Sequence, residues 1–210
     1  MAPARQSPDP AAASDEVGVD DVRRGIILDR DGTLIDVVRD EETGAVTTAF
    51  HPSHLRLLPG VVEGLRELSA AGHVLAVATN QPGPAKGHFS PGAVQRTNDA
   101  LVALLRERGV EIARVAVCLH HPEGGPGGDP SLVRPCDCRK PEPGMLTRLV
   151  EELGLSPGDS WMVGDSRADV EAGQRAGLKT ALLLAPDRCE LCPHRGGPAL
   201  DGRRPDLCVS

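Results

Sequence analysis

The sequence predicts an α/β domain, a Rossmann-like parallel sheet with helices on both faces. Short apolar runs of strand length alternate with segments of helical periodicity. Polar signatures follow directly after several of those runs, where the strand ends of such a sheet meet ligands.

Gly25-Ile26-Ile27-Leu28-Asp29 reads as the first buried strand. Pro59-Gly60 opens a helix carrying Val61, Val62, Leu65 and Leu68, closed by Gly72. Val74 to Ala78 is a second strand, ending at Thr79-Asn80. A helix from Pro91 to Arg108 puts Val94, Leu101, Leu104 and Leu105 on one face and stops at Gly109. Strands follow at 114–117, 160–164 and 180–184, with helices over 144–153 and through Val170 and Ala176 between them.

Composition narrows the chemistry. With one Trp, two Phe and no Tyr, the core is aliphatic and no aromatic platforms exist for stacking bases. A net charge of −7 argues against nucleic-acid binding. No run approaches the length of a transmembrane helix and residues 1–21 lack an apolar signal core, so a soluble cytoplasmic protein is expected.

The segment Asp29-Arg30-Asp31-Gly32-Thr33 sets two carboxylates two residues apart at the end of the first strand. If the strand continued, both would point the same way. Acids so placed can hold a divalent cation, attack an electrophile or move a proton. A calcium loop would need further oxygen ligands and a Glu at its twelfth position, and neither follows. Thr79-Asn80, Asp165 and Lys140 are ordinary features singly, a cap, a turn and a solvated side chain. Their order and placement at strand ends are what distinguish them.

Asp29-x-Asp31-Gly32-Thr33, Thr79-Asn80, Lys140 and Gly164-Asp165-Ser166 with Asp169 beyond resemble the four signatures of the haloacid dehalogenase superfamily, in its phosphatase branch. The resemblance covers residues 24–185 and implies that Asp29 is the nucleophile and Asp31 the general acid and base. It implies Mg²⁺ held by Asp29, the main-chain carbonyl of Asp31 and Asp165, with Asp169 in support. Thr79 would bind the phosphoryl oxygens and Lys140 would neutralise their charge. Arg30, Asn80, Gln81 and Arg139 are expected substrate contacts. The early motifs are not separated by a large insertion, so a large cap domain is not expected.

Cys118-Leu119-His120 follows the third strand and Cys136-Asp137-Cys138 precedes Arg139-Lys140. Three thiolates and an imidazole suit a closed tetrahedral Zn²⁺ site. The Gly-rich segment between them is too poor in apolar residues to fold alone, so a zinc-stabilised loop is predicted. His121 is an alternative to His120, though strand-like alternation puts 118 and 120 on one side. Such a loop resembles the subfamily containing heptose-1,7-bisphosphate phosphatases and the histidinol-phosphate phosphatase domain. Cys136-Asp137-Cys138-Arg139-Lys140-Pro141-Glu142-Pro143-Gly144-Met145 is more similar to the heptose enzymes. Residues 37–46 and Pro82 depart from their pattern and bear on the sugar, not on the transfer chemistry.

The expectation is a monomeric phosphatase acting on a small phosphorylated sugar, with no nucleic-acid or membrane partner. Heptose 1,7-bisphosphate losing its 1-phosphate to leave the 7-phosphate is the leading substrate. Histidinol phosphate is the alternative, and a non-catalytic zinc-stabilised binding module the reading from another class. Residues 1–22 read as a disordered leader, 23–185 as the domain and 186–210 as a Cys-containing tail. In that tail Cys189, Cys192, His194 and Cys208 form either a second metal site or incidental thiols.

Overall fold

The structure, a computed structural model, describes residues 22–39, 45–184 and 204–209. Its main sheet has six parallel strands in the order β5-β4-β1-β6-β7-β8. These are β1 (Gly25–Leu28), β4 (Val74–Asn80), β5 (Arg114–Cys118), β6 (Trp161–Gly164), β7 (Lys179–Leu183) and β8 (Leu207–Val209). The remaining two strands, β2 (Val38–Arg39) and β3 (Val46–Thr47), pair as a small antiparallel ribbon between β1 and the first helix.

Strand alternation divides the core in two. Ile26, Leu28, Leu75 and Val77 pack with Leu65 of α1 (Val61–Ala70) and Leu101 and Leu105 of α3 (Pro91–Arg106). Ile27, Ala76, Ala78 and Met162 face Met145, Leu146 and Leu149 of α4 (Gly144–Leu153) and Ala172 of α5 (Arg167–Arg175). Helices therefore cover both faces, as the alternating pattern predicts. The chain winds one way from β1 through β4 to β5 and the other way from β6 onward. The crevice at this reversal opens where β1, β4 and β6 end.

Three features differ from the sequence expectation. β1 ends at Leu28, so a tight turn and not continued strand sets the relation of Asp29 to Asp31. A four-residue helix, α2 (Gly83–Lys86), follows β4. The chain also returns to the sheet after the expected boundary at residue 185. There Asp206 Oδ2 accepts the Thr180 main-chain N–H at 2.7 Å and its hydroxyl at 3.0 Å, anchoring β8 beside β7. Cys208 stands exposed on β8, while Cys189, Cys192 and His194 lie outside the described residues.

Candidate active site

Asp29 leaves β1 tied by its N–H to the Val163 carbonyl of β6 at 2.8 Å. The next turn brings the backbone against Asp165. Gly32 has φ +84, and a Cβ built on it would stand 2.1 Å from Asp165 Oδ2. Only glycine satisfies both conditions.

Lys140 reaches the same place from the loop before α4. Its Nζ donates to Asp29 Oδ1 at 2.6 Å and to the Ala78 carbonyl oxygen at 2.7 Å, and forms an ion pair with Asp169 Oδ1 at 2.6 Å, an oxygen that accepts no hydrogen bond from the described residues. Asp169 is fixed in turn as the capping partner of Ser166 at the start of α5. The motif residues Asp29, Lys140, Asp165 and Asp169 thus converge.

Asp29, Asp165 and Asp169 each offer an oxygen within 4.8 Å of the others. Burial lifts the Asp29 carboxyl to about 7; Lys140 opposes the rise, and Asp169 and Asp31 add to it. Burial, then Asp29 and Asp169, lifts Asp165 to about 8. Burial alone would lower the Lys140 ammonium, but Asp169 and Asp29 raise it, so it stays charged. One ammonium does not balance three carboxylates, and a hard dication suits the remaining oxygens. Mg²⁺ fits this donor set, which Asp29, Asp165 and Asp169 could supply.

Asp31 sits in a different set of contacts. Arg30 Nε and Nη2 donate to its two oxygens at 3.1 Å each, Gln81 Nε2 to Oδ2 at 2.7 Å and the Ala49 N–H to Oδ1 at 3.3 Å. Arg30, expected to contact substrate, is wholly buried instead. Its guanidinium also donates to Asn98 Oδ1 at 2.6 Å, Thr48 Oγ1 at 2.6 Å and the Ala49 carbonyl at 2.7 Å. With its donors turned inward, it supports Asp31 and the 48–49 segment. Gln81, another expected contact, is also fully buried; its Nε2 bridges Asp31 and Thr79 Oγ1, and its Oε1 accepts from Thr48. Asn80 turns its carboxamide to the main chain of Lys140. Thr48, Ala49 and Asn98 carried no sequence signal, because they meet the motif only through folding.

Arg139 is half-buried and, with Lys140, Arg134 and Glu142, lines a cavity of about 420 Å³. A larger groove, about 550 Å³, runs beside Gly32 and Thr33. It is lined almost wholly by Leu, Val, Pro and Gly and holds none of the motif carboxylates.

The predicted zinc ligands also come together. Cys118 Sγ lies 3.6 Å from Cys136 Sγ and 3.2 Å from Cys138 Sγ, and His120 Nδ1 lies 3.3 Å from Cys138 Sγ. A tetrahedral Zn²⁺ with Zn–S near 2.3 Å sets sulfur–sulfur edges of about 3.7 Å. The four ligand atoms fit that cage slightly contracted, with His120 and not His121 in the set. Burial and the neighbouring Cys138 push the Cys118 thiol well up, so a dication is what would keep these sulfurs ionised together.

A family model described as "HAD-hyrolase-like" matches residues 137–186. D-glycero-beta-D-manno-heptose-1,7-bisphosphate 7-phosphatase of Pasteurella multocida is 36% identical over 78% of this chain and 82% of its own length. Its counterpart from Escherichia coli K12 is 33% identical over 76% of this chain and 78% of its length. The crystal structure of D,D-heptose 1,7-bisphosphate phosphatase from B. bronchiseptica, complexed with magnesium and phosphate, superposes with a TM-score of 0.66 at 27% identity, covering 88% of this chain and 92% of that one. Sheet order and converging aspartates define a haloacid dehalogenase-like hydrolase. Within that class, the chain belongs to the family of the heptose-1,7-bisphosphate 7-phosphatases.

Proposed function

We propose that this chain is a Mg²⁺-dependent sugar-bisphosphate phosphatase whose substrate is D-glycero-D-manno-heptose 1,7-bisphosphate. The observation that carries the reading is the meeting of Asp29, Lys140, Asp165 and Asp169 at one buried point, in a chain related to such enzymes. The relatives' name assigns the cleaved ester to carbon 7. This corrects the expectation of 1-dephosphorylation: the retained phosphate is the one on carbon 1.

An Asp29 oxygen attacks phosphorus, an O–P bond forms and the bond from phosphorus to the sugar oxygen breaks. Asp31 gives that sugar oxygen a proton, then takes one from the water that attacks the aspartyl-phosphate, releasing inorganic phosphate and restoring the Asp29 carboxylate. Donation requires a proton on one Asp31 oxygen; on Oδ2 that proton would compete with the Arg30 Nε and Gln81 Nε2 donors. Thr79 and Lys140 stabilise charge on the phosphoryl oxygens. Asp29, Asp165 and the Asp31 carbonyl would hold Mg²⁺, which would supply the positive charge that offsets repulsion between carboxylate and phosphate. Cys118, His120, Cys136 and Cys138 would hold Zn²⁺, which would fix the loop that presents Arg139 and Lys140, with Arg139 as the substrate contact at the rim.

Among the described residues no helix is long and apolar enough to cross a membrane. The complete set of motif residues argues against a non-catalytic module. Phosphate release from a panel of sugar phosphates and histidinol phosphate tests the reading. Turnover of the heptose bisphosphate at carbon 7, at least about tenfold above the other esters, is expected. A preference for histidinol phosphate would replace the substrate, and no Mg²⁺-dependent release from the folded, zinc-loaded protein would overturn the activity.

A further inference from the structure

Asn80 follows Thr79 at the end of β4, yet its carboxamide faces a distant backbone. Nδ2 donates to the Lys140 carbonyl at 2.9 Å, and the Lys140 N–H donates to Oδ1 at 3.1 Å. One side chain therefore pairs with both main-chain groups of one residue, as neighbouring residues do in a hydrogen-bonded β pair. Of the short polar side chains, only a carboxamide carries a donor and an acceptor side by side in this way. A carboxylate of the same shape would set an oxygen against the Lys140 carbonyl.

We infer that Asn80 is a positioning residue for Lys140, and that the inference rests on the proposed role of Lys140 at the phosphoryl group. Lysine has a long, flexible side chain, and its value as an electrostatic stabiliser depends on its being held before the reaction. Here both ends are held by one strand. Asn80 of β4 grips the main chain, while the Ala78 carbonyl of β4 accepts from Nζ at 2.7 Å. Thr79 lies between these two residues. Residues 78–80 therefore register the phosphate-binding hydroxyl and the ammonium against each other on a buried, six-strand scaffold. A third tie supports the same turn: Arg175 Nη1 donates to the Pro141 carbonyl at 3.0 Å.

The test is a mutant cycle on the zinc-loaded full chain, measuring kcat, KM and melting temperature. Asn80→Ala is expected to lower kcat by about 10- to 100-fold, the scale of misplacing a catalytic group by an ångström or so. The same change made on Lys140→Met should alter kcat by less than about twofold, because the group it positions is gone. Equal fold losses in both backgrounds, or a loss confined to KM, would overturn the inference and return Asn80 to direct substrate contact. Should Asn80→Ala fail to fold, the isosteric Asn80→Asp supplies the cycle. Binding of inorganic phosphate with Mg²⁺ is the second readout. It should weaken on Asn80→Ala only where Lys140 is present, even if the wild-type chain turns over none of the sugar esters, which would count against the proposed activity alone.

Discussion

Gly32 and Asp165 are in such close approach that a Cβ on the glycine would lie 2.1 Å from Asp165 Oδ2. The nucleophile's turn and the acid at the end of β6 therefore form one packed unit. Gly32→Ala is expected to displace Asp165, weaken Mg²⁺ activation at least about tenfold, and cost about 1–3 kcal/mol through its φ of +84. Mg²⁺ titration of turnover and chemical denaturation measure the two effects.

Lys140 is the ammonium set against Asp29 and Asp169, both at 2.6 Å and all three buried. Lys140→Met should reduce kcat by about 10²- to 10³-fold. It should also destabilise the metal-free fold by about 3–5 kcal/mol, because buried carboxylates lose their counter-ion. A variant as stable and as active as wild type would show that the pairs are dispensable.

Asp29 and Asp165 are raised to about 7 and about 8, whereas an unfolded aspartate titrates near 3.9. Between those values the folded state holds more protons than the unfolded one, so stability falls as pH rises. The stabilisation is complete below about pH 4 and is lost through about pH 7–8. Without added Mg²⁺ the melting temperature should therefore drop from pH 5 to pH 8, apart from other titrations, and saturating Mg²⁺ should flatten the slope. Buffers free of chelator are required, since chelation would also strip the thiolate site.

The Cys118–His120–Cys136–Cys138 cage predicts that metal analysis finds at least one zinc per chain. Cys138→Ser should abolish stoichiometric zinc and expose the 119–139 segment to proteolysis. Turnover should fall by about 10- to 100-fold, because Cys138 adjoins Arg139 and Lys140.

What the sequence made legible follows a physical rule. β1 and β4 are buried on both faces and β6 is buried on one and half-buried on the other, so they read as unbroken apolar runs, and the motif residues fall at their ends. β8 has three exposed residues and no periodicity, and its place depends on Asp206 meeting Thr180. Arg30 misled for a related reason. An arginine between two aspartates reads as solvent-facing, but the 48–49 segment and Asn98 of α3 close over it. The cluster of Cys118, His120, Cys136 and Cys138 was readable as a set because Cys-x-His and Cys-x-Cys spacing needs no tertiary information. The Asn80 carboxamide was not, since its partner lies 60 residues away.

Acid quench during the first turnover, followed by borohydride reduction and peptide mass analysis, tests the central chemistry most directly. An acyl phosphate on a carboxylate is reduced to the alcohol, so homoserine should appear at position 29, dependent on substrate and Mg²⁺ and absent from Asp29→Asn. Active turnover with an unmodified Asp29, or with the modification at Asp31 or Asp165, would contradict the account.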